Sequence, residues 1–309
     1  LSVGIGDFYE EIPDYIGVFD GEIAEDKIKD YVNNSDAIFN IGAKLTDSAT
    51  AGFSYEFDID DVVMINHKNF KMNDTVANDV TLPSLVHGLK DLHFENKNDY
   101  PQYERPQKNN YELSDQPLIQ ETYFNMIQDF LQLDDILIAE QGTSFFGAYD
   151  LAMHKNNTFI GQPLWGSIGY TLPATLGTQI ADPQRRNVLL IGDGSLQLTV
   201  QSLSTMIRQN LKPVIFVINN DGYTVERMIH GMKEPYNDIR MWDYKALPAV
   251  FGGDNVEVHD VNTSEELKRV FEKINANSDR MHYVEVKMAV EDAPVKLSEI
   301  AKAFASQNK

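Results

Sequence analysis

No cysteine occurs in the 309 residues, which excludes disulfides and thiolate metal sites and fits a reducing cytoplasm. Basic residues are scarce as well: 26 Lys and Arg stand against 47 Asp and Glu, a formal net charge of −21. That balance argues against a chain that tracks nucleic-acid phosphates and against binding to an anionic membrane surface. It leaves room for a small anionic ligand, because one local pocket can override the global sign. No apolar run approaches the roughly 20 residues of a membrane span, and the first residues do not read as a signal peptide. An initiator methionine is also missing. The opening "LSVGIGDFYEEIPDYIG" reads like a loop inside a domain, so a fragment with material upstream of Leu1 is expected.

Hydrophobic residues make up 42% of the chain, enough for real cores in two domains of ordinary size. Helical spacing around 23–34 precedes apolar strand-like runs at 36–43 ("DAIFNIGA") and 60–67 ("DDVVMINH"). Residues 95–117 are polar, carry three prolines and lack periodicity, the mark of a linker. The expected division is a domain over 1–95, a linker over 96–117 and a second domain over 118–309. In the second part, helical spacing at 119–133 leads to strands at 135–140, 187–194, 213–220 and 283–289. Leu196, Val200, Leu203 and Ile207 form one stripe of a helix over 195–209. Apolar strands alternating with helices predict an α/β fold whose parallel sheets are covered on both faces.

Two turn signals carry the chemistry. Asp193-Gly194 and Asn220-Asp221-Gly222 each follow an apolar strand, with Asp193 and Asn220 27 positions apart (220 − 193) and one helix between them. In an open parallel sheet both would lie at the carboxyl ends of strands, where ligands bind. A carboxylate, an amide oxygen and nearby carbonyls suit Mg²⁺, which completes its octahedron with phosphate oxygens and water. Gly194 and Ser195 open the following helix and offer N–H groups and a hydroxyl to a phosphate. Alone, Gly-Asp-Gly is usually just a turn. Gly4-Ile5-Gly6 lacks the third glycine of a dinucleotide fingerprint, and Gly42-Ala43-Lys44 is no nucleotide phosphate loop.

In combination, "GDGSLQ" followed by "NNDGYTVE" resembles the diphosphate-binding signature of thiamine diphosphate enzymes. With "EQGTSFFGA" (140–148) and "GQPLWGSIGYT" (161–171), the chain looks like the 2-oxo acid decarboxylases, and like their indolepyruvate and branched-chain members in particular. The resemblance implies two doubly wound parallel-sheet domains, a Rossmann-like middle domain and a C-terminal domain that binds the cofactor diphosphate. It implies thiamine diphosphate and Mg²⁺ as cofactors, a homodimer or homotetramer, and decarboxylation of a bulky 2-oxo acid to an aldehyde and CO₂.

Matched residue by residue, the resemblance gives Mg²⁺ to Asp193, Asn220 and the Gly222 carbonyl. Thr143, Gly194 and Ser195 match phosphate contacts, and Ser167 and Tyr223 fall among the cofactor-binding positions. Gly166 matches the carbonyl that accepts the aminopyrimidine amino group. Ile168 matches the wedge that bends the cofactor and sets that group beside thiazolium C2; read without the resemblance it is a core aliphatic. Glu226 matches a catalytic glutamate that moves protons after C–C cleavage. Among Val225 and Ile229 it is expected to be buried, with a raised pKa; the alternative is a solvated helix acid paired with Arg227 or Lys233. Gln141, Phe145, Phe146, Val225 and Ile300 match the substrate pocket, Val225 counts with the cofactor positions too, and core packing is the other reading of each. The seven histidines are scattered with no metal-spaced pair, and His230 reads as a surface or interface residue.

The chain departs from the family in lacking the domain that supplies the cofactor-activating glutamate and an adjacent His-His pair. Residues 1–309 are therefore expected to fold, to be inactive alone and to hold cofactor weakly. The alternatives are pyruvate decarboxylation, an acetolactate synthase-like carboligation, and a non-catalytic cofactor-binding or assembly fragment.

Overall fold

The computed structural model describes residues 14–93, 99–104 and 111–307. Two compact units divide the chain between residues 104 and 105. Of the expected linker, residues 96–98 and 105–110 lie outside the described residues. Residues 114–118 adhere to the second unit: Ser114 N–H donates to Ser264 Oγ at 2.8 Å, and Leu118 N–H to the Asn262 carbonyl at 2.8 Å.

In the first unit, helix α1 (Asp26–Asn33) precedes strands β1 (Phe39–Ile41), β2 (Val63–Ile65), β3 (Asn69–Met72) and β4 (Thr75–Asn78), and helix α2 (Leu82–Leu89) closes it. β1 and β2 run parallel, whereas β2, β3 and β4 are antiparallel neighbours. The α/β class stands, but this sheet is mixed where a parallel one was expected. The cause is local. Asn73 adopts φ 50° and Met72 pairs with Thr75, so Asn73-Asp74 closes a two-residue hairpin and turns the chain back on itself. β1 also differs from the buried apolar strand expected: Asn40 faces inward while Phe39 and Ile41 are exposed. Asn40 Oδ1 accepts the Ala43 N–H at 3.1 Å, holding the turn beyond the strand.

The second unit begins with α3 (Gln120–Phe130), β5 (Ile136–Ala139), α4 (Thr143–Ala148), β6 (Thr158–Ile160) and α5 (Thr171–Ala181). It continues through β7 (Asn187–Gly192), α6 (Asp193–Thr199), α7 (Gln201–Arg208), β8 (Val214–Asn219), α8 (Thr224–His230) and α9 (Leu247–Val250). β9 (Glu257–Val261), α10 (Ser264–Ala276), β10 (His282–Lys287) and α11 (Val295–Gln307) complete it. The six strands lie in the order β6-β5-β7-β8-β10-β9, every neighbour parallel. The helix expected over 195–209 is two, meeting at Val200, and the first begins at Asp193 itself.

Alternation along the central strands explains why both faces are covered. Leu189 and Ile191 of β7, with Ile215 and Val217 of β8, pack under Leu172, Leu196, Leu203 and Met206. The opposite face carries Phe216, whose ring meets Tyr123, Phe130 and Phe271 edge-on at 6.3, 5.8 and 5.9 Å. No helix among the described residues is long and apolar enough to cross a membrane. Leu189 is fully buried in a strand with neighbours on both sides. Leu189→Ala should lower the unfolding free energy in urea by about 2–5 kcal/mol; a loss under about 1 kcal/mol would show that β7 is not at the centre of the core.

Candidate cofactor site

From β5 the chain goes outward to β6, then returns past β5 to place β7 on its other side. The carboxyl ends of β5 and β7 thus flank the point where strand order reverses, the crevice in which open parallel sheets bind ligands. β8 lies beside β7 with Gly192 opposite Ile218, so the turns after both strands emerge together. The spacing of Asp193 and Asn220 is the length of one crossover between neighbouring strands.

One carboxylate ties the two turns. Asp193 Oδ1 accepts the Gly194 N–H at 2.7 Å and Oδ2 accepts the Gly222 N–H at 3.1 Å. Burial pushes its pKa up to about 6, against the lowering effect of these N–H groups. Asn220 is buried too, and its Nδ2 donates to Thr224 Oγ1 at 3.0 Å, which turns the amide oxygen the other way as the atom it offers a ligand. Asp221 and Gly222 both take positive φ, 59° and 111°. Only glycine fits at 222, because a Cβ there would lie 2.3 Å from the Asn237 carbonyl oxygen. Arg227 is buried beneath the turn, its Nη2 donating to the Asp221 carbonyl at 2.8 Å and to Asp238 Oδ1 at 2.9 Å. Tyr223 reaches back across the cleft: a Cβ on Gly194 would lie 2.4 Å from its ring.

The loop between β6 and α5 is held by Glu140, the residue after β5. Its Oε2 accepts the N–H groups of Gly169 and Thr171 at 3.1 and 3.2 Å and the Thr171 hydroxyl at 2.7 Å, while Oε1 accepts the Gln141 N–H at 3.0 Å. Burial raises the Glu140 pKa, and these four donors work against that rise. The Gly169 carbonyl accepts from Thr199 Oγ1 at 2.8 Å, so Ile168, half-buried, is fixed from both ends of the next residue. Gly166 has φ 59° and lies beside Gln141, whose Oε1 is buried without a partner among the described residues. Ser167 is exposed, and its Oγ lies 3.3 Å from Gln162 Nε2.

Val225 borders Gly142, where a Cβ would sit 4.0 Å from its Cγ1. Thr143 and Ser195 are buried at the starts of α4 and α6. Helix α11 packs against both α4 and α8, bringing Ile300 toward the same end. Phe145 packs inward: it meets Phe159 edge-on at 5.8 Å and leaves no room for a Cβ on Gly161. Phe146 and Ile300 are also buried. The burial expected of Glu226 is not found. Its side chain is 44% exposed and its Oε2 lies 3.4 Å from His230 Nε2, one turn along the helix; Arg227 is bound elsewhere.

The chemistry of these donors suits a diphosphate held through a hard cation. Two N–H bonds leave Asp193 with acceptor capacity on both oxygens, and the Asn220 amide oxygen and Gly222 carbonyl complete an all-oxygen set of the Mg²⁺ kind.

Residues 141–286 match the family model described as the thiamine pyrophosphate enzyme C-terminal TPP-binding domain. Over those residues the chain is similar to the thiamine pyrophosphate enzymes. Across 99% of its length the chain is 38% identical to pyruvate decarboxylase isozyme 1 of Saccharomyces cerevisiae and 40% identical to pyruvate decarboxylase of Candida glabrata. It is 35% identical to alpha-keto-acid decarboxylase of Mycobacterium bovis over 96% of its length. It spans 56% of each of the first two relatives and 54% of the third.

Neither Glu140 nor Arg227 was assigned a place in the site from sequence, although Glu140 opens the quoted motif EQGTSFFGA and follows an apolar strand directly. Glu140→Gln puts an amide donor among four donors, which should cost about 1–3 kcal/mol. Hydrogen exchange at Gly169 and Thr171 should accelerate while β7 stays protected. Unchanged protection at both amides would show that the carboxylate does not hold the loop.

Proposed function

We propose that this chain supplies the diphosphate half of a thiamine diphosphate and Mg²⁺ site in a 2-oxo acid decarboxylase that releases an aldehyde and CO₂. The observation that supports this most is the junction of Asp193, Asn220 and Gly222 at the ends of neighbouring strands. The similarity to decarboxylases along nearly the whole chain supports the reaction type. When bound, thiamine diphosphate would supply the electron sink that allows CO₂ to leave.

In this reading Asp193, Asn220 and the Gly222 carbonyl hold Mg²⁺, and Thr143, Gly194 and Ser195 donate to the diphosphate. The Gly166 carbonyl takes the aminopyrimidine amino group, and Ile168 wedges against the cofactor body, its position set by Glu140 and Thr199 through Gly169. Ser167, Tyr223 and Val225 line the cofactor. Glu226 holds the proton for the product carbon, with His230 placed to exchange it. Gln141 and Val225 shape the substrate end. Val225 is a small aliphatic facing a glycine, which supports a bulky aromatic or branched 2-oxo acid. A second reading, with pyruvate as substrate, draws on the printed names of the relatives. The proposal extends to domains over 1–95 and 118–309 joined by a linker, to a homodimer or homotetramer, and to a cytoplasmic location.

Asp193→Ala removes the only charged ligand of the cation. Thiamine diphosphate affinity in the presence of Mg²⁺, measured by calorimetry on the intact protein, should fall by at least about 100-fold, and equal affinity would remove Asp193 from the site. For the substrate, kcat/KM should be higher for indolepyruvate or 2-oxoisovalerate than for pyruvate. Should pyruvate exceed both, the Val225 pocket reading fails and the second reading stands.

A further inference from the structure

The two histidines that share no spacing in the sequence come together at the edge of the second sheet opposite the proposed cofactor site. His282 begins β10 and pairs in register with Glu257, which begins β9; His259 follows two residues along β9 on the same face. All strands are parallel, so these amino ends lie about 17 Å along the strands from the carboxyl ends that carry Asp193 and Asn220. Among the described residues, Glu257, His259 and His282 are the cluster whose donor atoms converge on one point.

The three donor atoms lie within reach of a single ion. His259 Nε2 and His282 Nδ1 are 3.2 Å apart, and Glu257 Oε2 is 3.9 Å from the first and 3.6 Å from the second. A triangle with those sides has a centre about 2.1 Å from every corner, the length of a Zn–N or Zn–O bond. The supporting groups point the donors inward. His282 Nε2 donates to the Asn277 carbonyl at 2.8 Å, so in the neutral ring Nδ1 is the bare nitrogen and it faces the cluster. Glu257 Oε1 is held by Asn277 Nδ2 and lies 3.4 Å from Arg280 Nη1, which leaves Oε2 for the imidazoles. The His259 and His282 side chains are 8% and 1% exposed, so both imidazoles face the cluster out of reach of bulk water.

We propose that Glu257, His259 and His282 bind a divalent metal of the zinc class, with water in the fourth position on the solvent side of half-buried Glu257. The ion would clamp β9, the last strand of the sheet, to β10. It is a borderline metal on two nitrogens and one oxygen, chemically distinct from the all-oxygen Mg²⁺ set at the carboxyl ends of β7 and β8.

Titration of the 309-residue chain with Zn²⁺ in excess Mg²⁺ should show one saturable site and raise the thermal unfolding midpoint. Co²⁺ should give the visible absorption of a four- or five-coordinate centre. His259→Gln should weaken Zn²⁺ by more than the roughly 10- to 100-fold typical of outer-shell changes, and Asp193→Ala should leave it intact. If His259→Gln does not fold by circular dichroism, Glu257→Gln at the more exposed ligand carries the same test. Absence of saturable binding, or equal affinity in a folded ligand variant, overturns the proposal. Loss of binding in a folded Asp193→Ala would do so too, by moving the ion to the carboxyl ends of β7 and β8.

Discussion

The carboxylate of Asp193 is the interaction on which the cleft of the second unit depends. It sits at the end of one strand and accepts N–H groups from its own helix start and from the turn of the next strand. With both oxygens so used, the two turns become one rigid object, and Tyr223 and Arg227 brace it from either side. Parallel pairing of β7 and β8 makes that possible: the carboxyl ends must be level for one side chain to reach both turns. A buried, singly charged carboxylate is also a standing cost, and a bound cation would relieve it.

Much of this was legible in the sequence because the same residues satisfy two demands. Asp-Gly and Asn-Asp-Gly are what a tight turn needs and what a cation on a diphosphate needs, so local chemistry and ligand chemistry point to one place. Apolar runs such as "NVLLIG" and "PVIFVIN" are strands because both faces are covered, leaving no polar alternation to misread. The hairpin of the first unit was illegible for the opposite reason. "NFKMNDTVAN" is largely exposed, so neither an apolar stripe nor a strict alternation marks its strands.

Residues with a single chemical role in space, but none in local pattern, stayed hidden. Glu140 acts on groups 29 and 31 positions away. His259 and His282 are joined only because β9 and β10 pair after an intervening helix. Phe145 is an aromatic in a motif, yet a glycine opposite and an aromatic neighbour draw it into the core. Glu226 is half exposed although apolar residues flank it in sequence. On a helix the residues beside it in sequence point elsewhere, and its neighbour in space is one turn away.

The segment anchored by Glu140 has a spectroscopic consequence. The chain holds two tryptophans, and one of them, Trp165, is 80% exposed directly before Gly166. Its backbone N–H donates to Gln162 Oε1 at 3.0 Å, so the indole projects from a closed loop. The other, Trp242, is 36% exposed and lies 6.3 Å from the Tyr244 ring. Emission from this chain is thus dominated at its red edge by a single water-facing indole, and whatever covers the loop around Ile168 is recorded in the colour of that light.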